Sequence, residues 1–257
     1  MTNWNQSVAR GVGAADNAWG KNGSVNRVDL LNKNLDRLSK GGEWNLAEVT
    51  SAMNAAATQD VRAIDTVPLL ARLLEGSTAP NAQAAAMLAQ LVKWNANGGN
   101  RLDTTGDGLI DAPGAASMDG AWDGIANALM ERRLKGQLDE LASLATRYSA
   151  PPGGQFAGWG QYFDRDIRRL LGEDITAPLN LQYCGRGNLA TCQADVWAAI
   201  AAAGAQLEAD QGSANPAAWR SSATAEEITF APINLLTMAY TNRPTGIQQV
   251  ISFKGGR

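Results

Sequence analysis

The sequence predicts a mainly α-helical chain that ends in short β-strands, α+β overall. Three observations carry this reading. Apolar residues recur at helical spacing through most of the chain, Gly, Pro and Asn punctuate those runs, and compact β-branched and aromatic runs are confined to the C-terminal end. With 257 residues and 45% hydrophobic content, the chain can bury the core of one large domain or two small ones.

The opening stretch MTNWNQSVARGVGAADNAWG is dense in Asn, Trp and Gly, lacks hydrophobic periodicity and reads as a loop of the kind that lines a site. Residues 25–38 then place Val28, Leu31, Leu35 and Leu38 on one helical face. Asn45 is positioned to cap the next helix with Glu48 completing a capping box, ahead of the stripe Leu46, Val49, Met53 and Ala56. Pro68 suits the first turn of a segment running to Leu74, and residues 82–94 are alanine-rich and periodic. A further helix is expected over 122–144, bent near Gly136, before the Pro-Pro-Gly-Gly loop at 151–154. The last long helix is expected over 195–207, with Val196, Ile200, Ala203 and Leu207 facing one way. ITFAPI and GIQQVISF carry the strand signature, and such short strands need partners to be stable.

Composition excludes several functions. Only 18% of residues are charged and the formal net charge is -3, so no basic face exists to neutralise phosphates and a nucleic-acid partner is not expected. No apolar run is long enough to cross a membrane. The chain contains no histidine, which removes the Ser-His-Asp triad, the Cys-His dyad and His-ligated zinc.

Two motifs stand out by spacing. In DTTGDGLIDAPG, Asp103, Asp107 and Asp111 fall at the first, fifth and ninth positions of a calcium loop, with Gly108 at the sixth. Thr105 occupies the third position and Gly114 stands where the bidentate Glu belongs, so two readings stay open: weak calcium binding, or a tight Asp/Gly turn between helices. In YCGRGNLATC, Cys184 and Cys192 enclose a short glycine-containing loop, which permits either a disulfide or two buried thiols.

NWNQSVARGVGAADNAWGKNGSVNRVDLL resembles the segment of penicillin acylase family enzymes in which Asn-Trp-Asn is followed by an Asp and then by an Arg at a helix start. AWRSSATAEEITFAPI and TNRPTGIQQVISF resemble that family's C-terminal strands, and YCGRGNLATC is similar to its actinobacterial members. The resemblance spans essentially the whole chain, with departures at Asn26, Gly246 and Gly256. It implies an N-terminal nucleophile (Ntn) hydrolase, in which a Ser freed by self-cleavage uses its own α-amine as base and attacks an acyl amide without histidine.

On that resemblance the chain is expected to be the C-terminal part of a β subunit. Residues 1–24 would form an active-site loop of the Ntn core, 25–215 a helical domain, and 216–257 strands of the αββα core. Asn5 would donate to the oxyanion, Arg27 would orient Asn5 and the nucleophile's amine, and Asp16 would ligate structural calcium. The nucleophile and the acyl pocket would precede Asn3, on the remainder of the acylase, in a periplasmic or secreted enzyme. Read without the resemblance, Asn5 bonds loop backbone, Asp16 caps a turn before Trp19, and Arg27 is a solvated first-turn residue. The competing expectation is a standalone, non-catalytic helical domain, possible as a homodimer through exposed strand edges.

Overall fold

The computed structural model describes residues 27–42, 44–137, 163–175, 180–223, 227–229 and 237–239. Within them, α1 (Arg27–Ser39) and α2 (Leu46–Thr58) pack against each other. The buried face of α1 is Leu30, Leu31 and Asn34, so its stripe includes a polar position. Asn34 is tolerated because its Nδ2 donates to Leu30 O at 2.7 Å and to Gln59 Oε1 at 2.9 Å. The capping box on α2 forms as expected: Asn45 Oδ1 accepts from Glu48 N at 3.0 Å and Glu48 Oε2 accepts from Asn45 N at 2.9 Å. The stripe expected on α2 is only half covered, since Leu46 is 51% exposed while Ala52, Ala56 and Ala57 are buried.

A π-helical turn, Arg62–Thr66, leads into α3 (Val67–Leu74), with Pro68 in its first turn. Asn81 caps α4 (Ala82–Ala96) by accepting from Ala84 N at 2.7 Å. The next helix, α5 (Pro113–Leu134), begins earlier than the expected Trp122 and breaks next to the expected Gly136, while 138–144 lies outside the described residues. It starts at Pro113, whose missing N–H costs nothing in a first turn, and ends where Lys135 turns left-handed. The expected PPGG loop lies outside the described residues. A short helix that the sequence reading did not place, α6 (Phe163–Leu170), follows, and α7 (Leu189–Gln211) starts earlier than expected because Asn188 caps it through Thr191 N at 2.9 Å.

The core lies between α5 and α7, with α3 and α4 packed on them. Small residues allow the close crossing: a Cβ on Gly120 would meet Leu207 Cδ1 at 2.7 Å. Three indoles in the core find acceptors. Trp94 Nε1 donates to Asn100 O and Trp197 Nε1 to Ser77 Oγ, both at 2.8 Å, and Trp219 Nε1 donates to Ser213 O at 2.7 Å. A second small cluster, Leu30, Leu31, Ala56 and Val61, holds the α1–α2 pair.

Strand β1 (Glu227–Thr229) overlaps the expected ITFAPI run and pairs antiparallel with β2 (Thr237–Ala239), with Ile228 opposite Met238. The sequence reading did not place β2. GIQQVISF lies outside the described residues. No helix among the described residues is long and apolar enough to cross a membrane.

Candidate functional site

Asn5 and Asp16 lie outside the described residues, so the structure leaves their roles where the resemblance put them. Arg27 is the first residue of α1, the helix-start position expected of it, and its side chain is outside the described set.

The 103–111 loop is organised by its own carboxylates. Asp103 accepts from Gly106 N and Gly108 N, both at 2.7 Å, from Asp107 N at 3.3 Å and from Thr105 Oγ1 at 3.2 Å. Asp111 Oδ2 accepts from Thr104 N at 3.0 Å and Thr104 Oγ1 at 2.5 Å, and Asp107 Oδ1 from Leu109 N at 2.9 Å. Desolvation opposes the Asp103 anion, but the donors of Gly108, Gly106, Thr105 and Asp107 together outweigh it and hold its carboxyl below the usual value. A calcium ion needs six to eight oxygens around one point. No group of three or more His, Cys, Asp or Glu side chains among the described residues is arranged to hold a metal. As folded, the loop's carboxylates are engaged by its own backbone N–H and hydroxyl donors, as in a tight Asp/Gly turn.

Cys184 and Cys192 form a disulfide with their Cα atoms 5.0 Å apart, which settles the two readings of that loop. The bridge ties the 3₁₀ turn Cys184–Gly187 to the first turn of α7. Gly185 is required here: its φ is 56° and a Cβ would lie 2.6 Å from Cys192 N. Asp166 of α6, buried at 4% exposure, accepts from Tyr183 N at 2.9 Å and Cys184 N at 2.8 Å. Burial pushes the Asp166 carboxyl up from its ordinary value, against the pull of those two N–H groups.

Sequence reasoning missed the most concentrated charge in the structure. Asp60, Arg62 and Arg101 are buried and meet Asp119 of α5. Arg62 Nη2 donates to Asp60 Oδ2 at 2.6 Å and to Asp119 Oδ1 at 2.8 Å, and Arg101 reaches Asp119 with two donors at 3.0 and 2.8 Å. Ser221 Oγ donates to Asp119 Oδ2 at 2.7 Å. Two guanidiniums face two carboxylates, so the group is neutral as a whole. Burial opposes the Asp119 anion, but Arg62 and Arg101 outweigh it and lower its pKa from 3.8 to about 2. Burial likewise opposes the Arg62 cation and is outweighed by Asp60 and Asp119, which raise its pKa. The Arg62 guanidinium also lies 5.9 Å from the Trp122 ring centroid. Such a cluster holds elements together; it offers neither a nucleophile nor a free base.

A cleft of about 290 Å³ opens beside the loop, floored by Trp94, Leu102 and Pro113 and edged by Lys93, Asn97 and Asp111. The residues that the resemblance assigns to chemistry, Asn5, Asp16 and Arg27, come before α1 or at its first residue in the sequence.

No curated protein matches the chain. Among solved structures, the fold is similar to a thermostable penicillin G acylase from Alcaligenes faecalis, with a TM-score of 0.57 and 19% identity over 94% of this chain. The match spans 42% of that acylase chain, and at this identity it speaks to the fold alone. The family model described as penicillin amidase matches residues 1–249, from the Asn-Trp-Asn stretch through the C-terminal run. The chain belongs to the penicillin amidase family.

Proposed function

We propose that this chain is the C-terminal part of the β subunit of an amidohydrolase that acts on N-acyl amides. The observation that carries the reading is the family match over residues 1–249, which includes the Asn-Trp-Asn and Asn-Arg-Pro-Thr segments. The nucleophilic Ser, by the family pattern, belongs to a segment before Asn3 and outside these 257 residues. Its α-amine takes the hydroxyl proton as Oγ attacks the amide carbon, and the same amine returns a proton to the leaving nitrogen. The Asn5 amide donates to the oxyanion because its N–H can be aimed at developing charge without ionising. Arg27 orients Asn5 and the nucleophile's amine, and water then releases the acyl group. β-Lactam side chains, acyl-homoserine lactones and lipopeptides are the substrate classes in view.

Structural calcium with Asp16 as a carboxylate ligand belongs to this proposal, as do the remaining acylase segments as partners and a periplasmic or secreted location. The Cys184–Cys192 bridge supports an oxidising compartment. The test combines the chain with the segment bearing the nucleophile and follows hydrolysis of chromogenic phenylacetyl and medium-chain acyl amides. Asn5→Ala should then lower kcat roughly 10²–10³-fold with little change in KM. Turnover by this chain alone that is lost in Thr2→Ala would overturn the reading, since the nucleophile would then be internal.

A further inference from the structure

The motif at 103–111 is not absorbed by the proposed reaction, and its surroundings give it a role. The chain returns from α7 to this loop before reaching β1. Ala223 N donates to Gly108 O at 2.9 Å, Ile110 N donates to Ser221 O at 2.8 Å, and Leu109 and Ser222 form an antiparallel bridge. Ile110 beneath this pairing is completely buried, as is Trp219 just before it. Ser221 is pinned a second time by its hydroxyl on Asp119, which Arg62 and Arg101 hold in place.

We propose that the 103–111 loop and Asp119 form a metal-free template that seats residues 219–223 and so sets the direction in which the chain leaves the helical domain toward β1. Two isolated backbone bonds are too few to hold an extended segment against its conformational entropy. They hold here because Gln211 of α7 also bonds the N–H and carbonyl of Arg220, and because the loop edge is prepared in advance. Asp103 gathers the amides of Gly106, Asp107 and Gly108, and Asp111 gathers Thr104, so the Gly108 carbonyl and the Ile110 amide are already aimed when residues 221–223 arrive. The carboxylates do what a cation does in a calcium loop, ordering the turn from within, but with backbone N–H groups in place of the ion. Asp103 and Asp119 are positioning residues in this scheme.

Amide hydrogen exchange of the full chain tests the template, and its local rates are read independently of acyl transfer. Asp103→Ala should speed exchange at Gly106, Gly108, Ile110 and Ala223 on the order of tenfold, with α4 and α7 unchanged. Asp103→Asn should fall between, because its single carbonyl oxygen can serve Gly106 but its NH₂ cannot accept from Gly108. Ser221→Ala should speed Ile110 and Ala223 while leaving Gly106 as it was, and it decides the matter if Asp103→Ala does not fold. Millimolar calcium should leave all these rates as they are. Unchanged exchange at Ile110 and Ala223 in Ser221→Ala would overturn the template, and so would slowing of the 103–111 amides by calcium but not by magnesium.

Discussion

Asp119 is the residue on which the buried charges converge, so removing its charge leaves two guanidiniums with one carboxylate in the interior. Asp119→Asn should lower stability by about 3–5 kcal/mol in urea unfolding. Lys33→Ala breaks an ion pair whose lysine side chain is 53% exposed, and should cost less than about 1 kcal/mol. The same carboxylate shapes acid sensitivity. Its pKa falls from 3.8 to about 2 on folding, so its contribution is complete above the unfolded value and disappears as pH falls through the folded one. On the order of 2 kcal/mol should therefore be lost between about pH 4 and about pH 2, and Asp119→Asn should flatten that part of the stability profile. Asp166 runs the other way: its raised pKa favours the folded state most when it is protonated, so its contribution declines as pH rises through its folded pKa. The Asn45–Glu48 box was legible in the sequence because both partners lie within one turn. The charge cluster was not, because Arg62 and Asp119 are 57 positions apart and only tertiary packing brings them together.

The elements follow their local signals where caps and prolines mark the ends, and depart from them where packing decides. The N-terminal half of α5 was missed because PGAASMDG is made of small residues without a clear apolar period, yet most of them are buried against α4 and α7. That density makes Gly114→Val a sharp test: a Cβ on this buried glycine would lie 2.3 Å from Trp94 Cβ and 2.8 Å from Gln90 O, and a loss of about 1–3 kcal/mol is expected in thermal unfolding. Leu46→Gln, on the uncovered end of α2, should stay within about 0.5 kcal/mol. For the turn before α7, Cys192→Ser or a reducing agent should cost about 2–3 kcal/mol, the figure for a loop of this length. Thiol titration before and after denaturation should find no free thiol in the oxidised chain.

For the molecule as a whole, the helical architecture and the family are what the sequence made legible. The helices were legible because their periodicity is strong, and the family was legible because its motifs lie in order along the chain. The assignment of Asn5, Asp16 and Arg27 rests only on that resemblance, since by themselves they have ordinary loop and first-turn chemistry. The described helices close a core around α5 and α7, and the matched acylase chain is more than twice the span covered here. The seating of the tryptophans adds an optical consequence. Trp94, Trp197 and Trp219 are enclosed with their indole N–H groups bonded, whereas Trp44 is 45% exposed at the start of α2. Fluorescence from the enclosed indoles should be blue-shifted and shielded from acrylamide, while Trp44 should emit to the red and be quenched readily. Loss of the core and burial of the α2 tip by a partner would therefore shift the emission in opposite directions, and a single spectrum could tell unfolding from assembly.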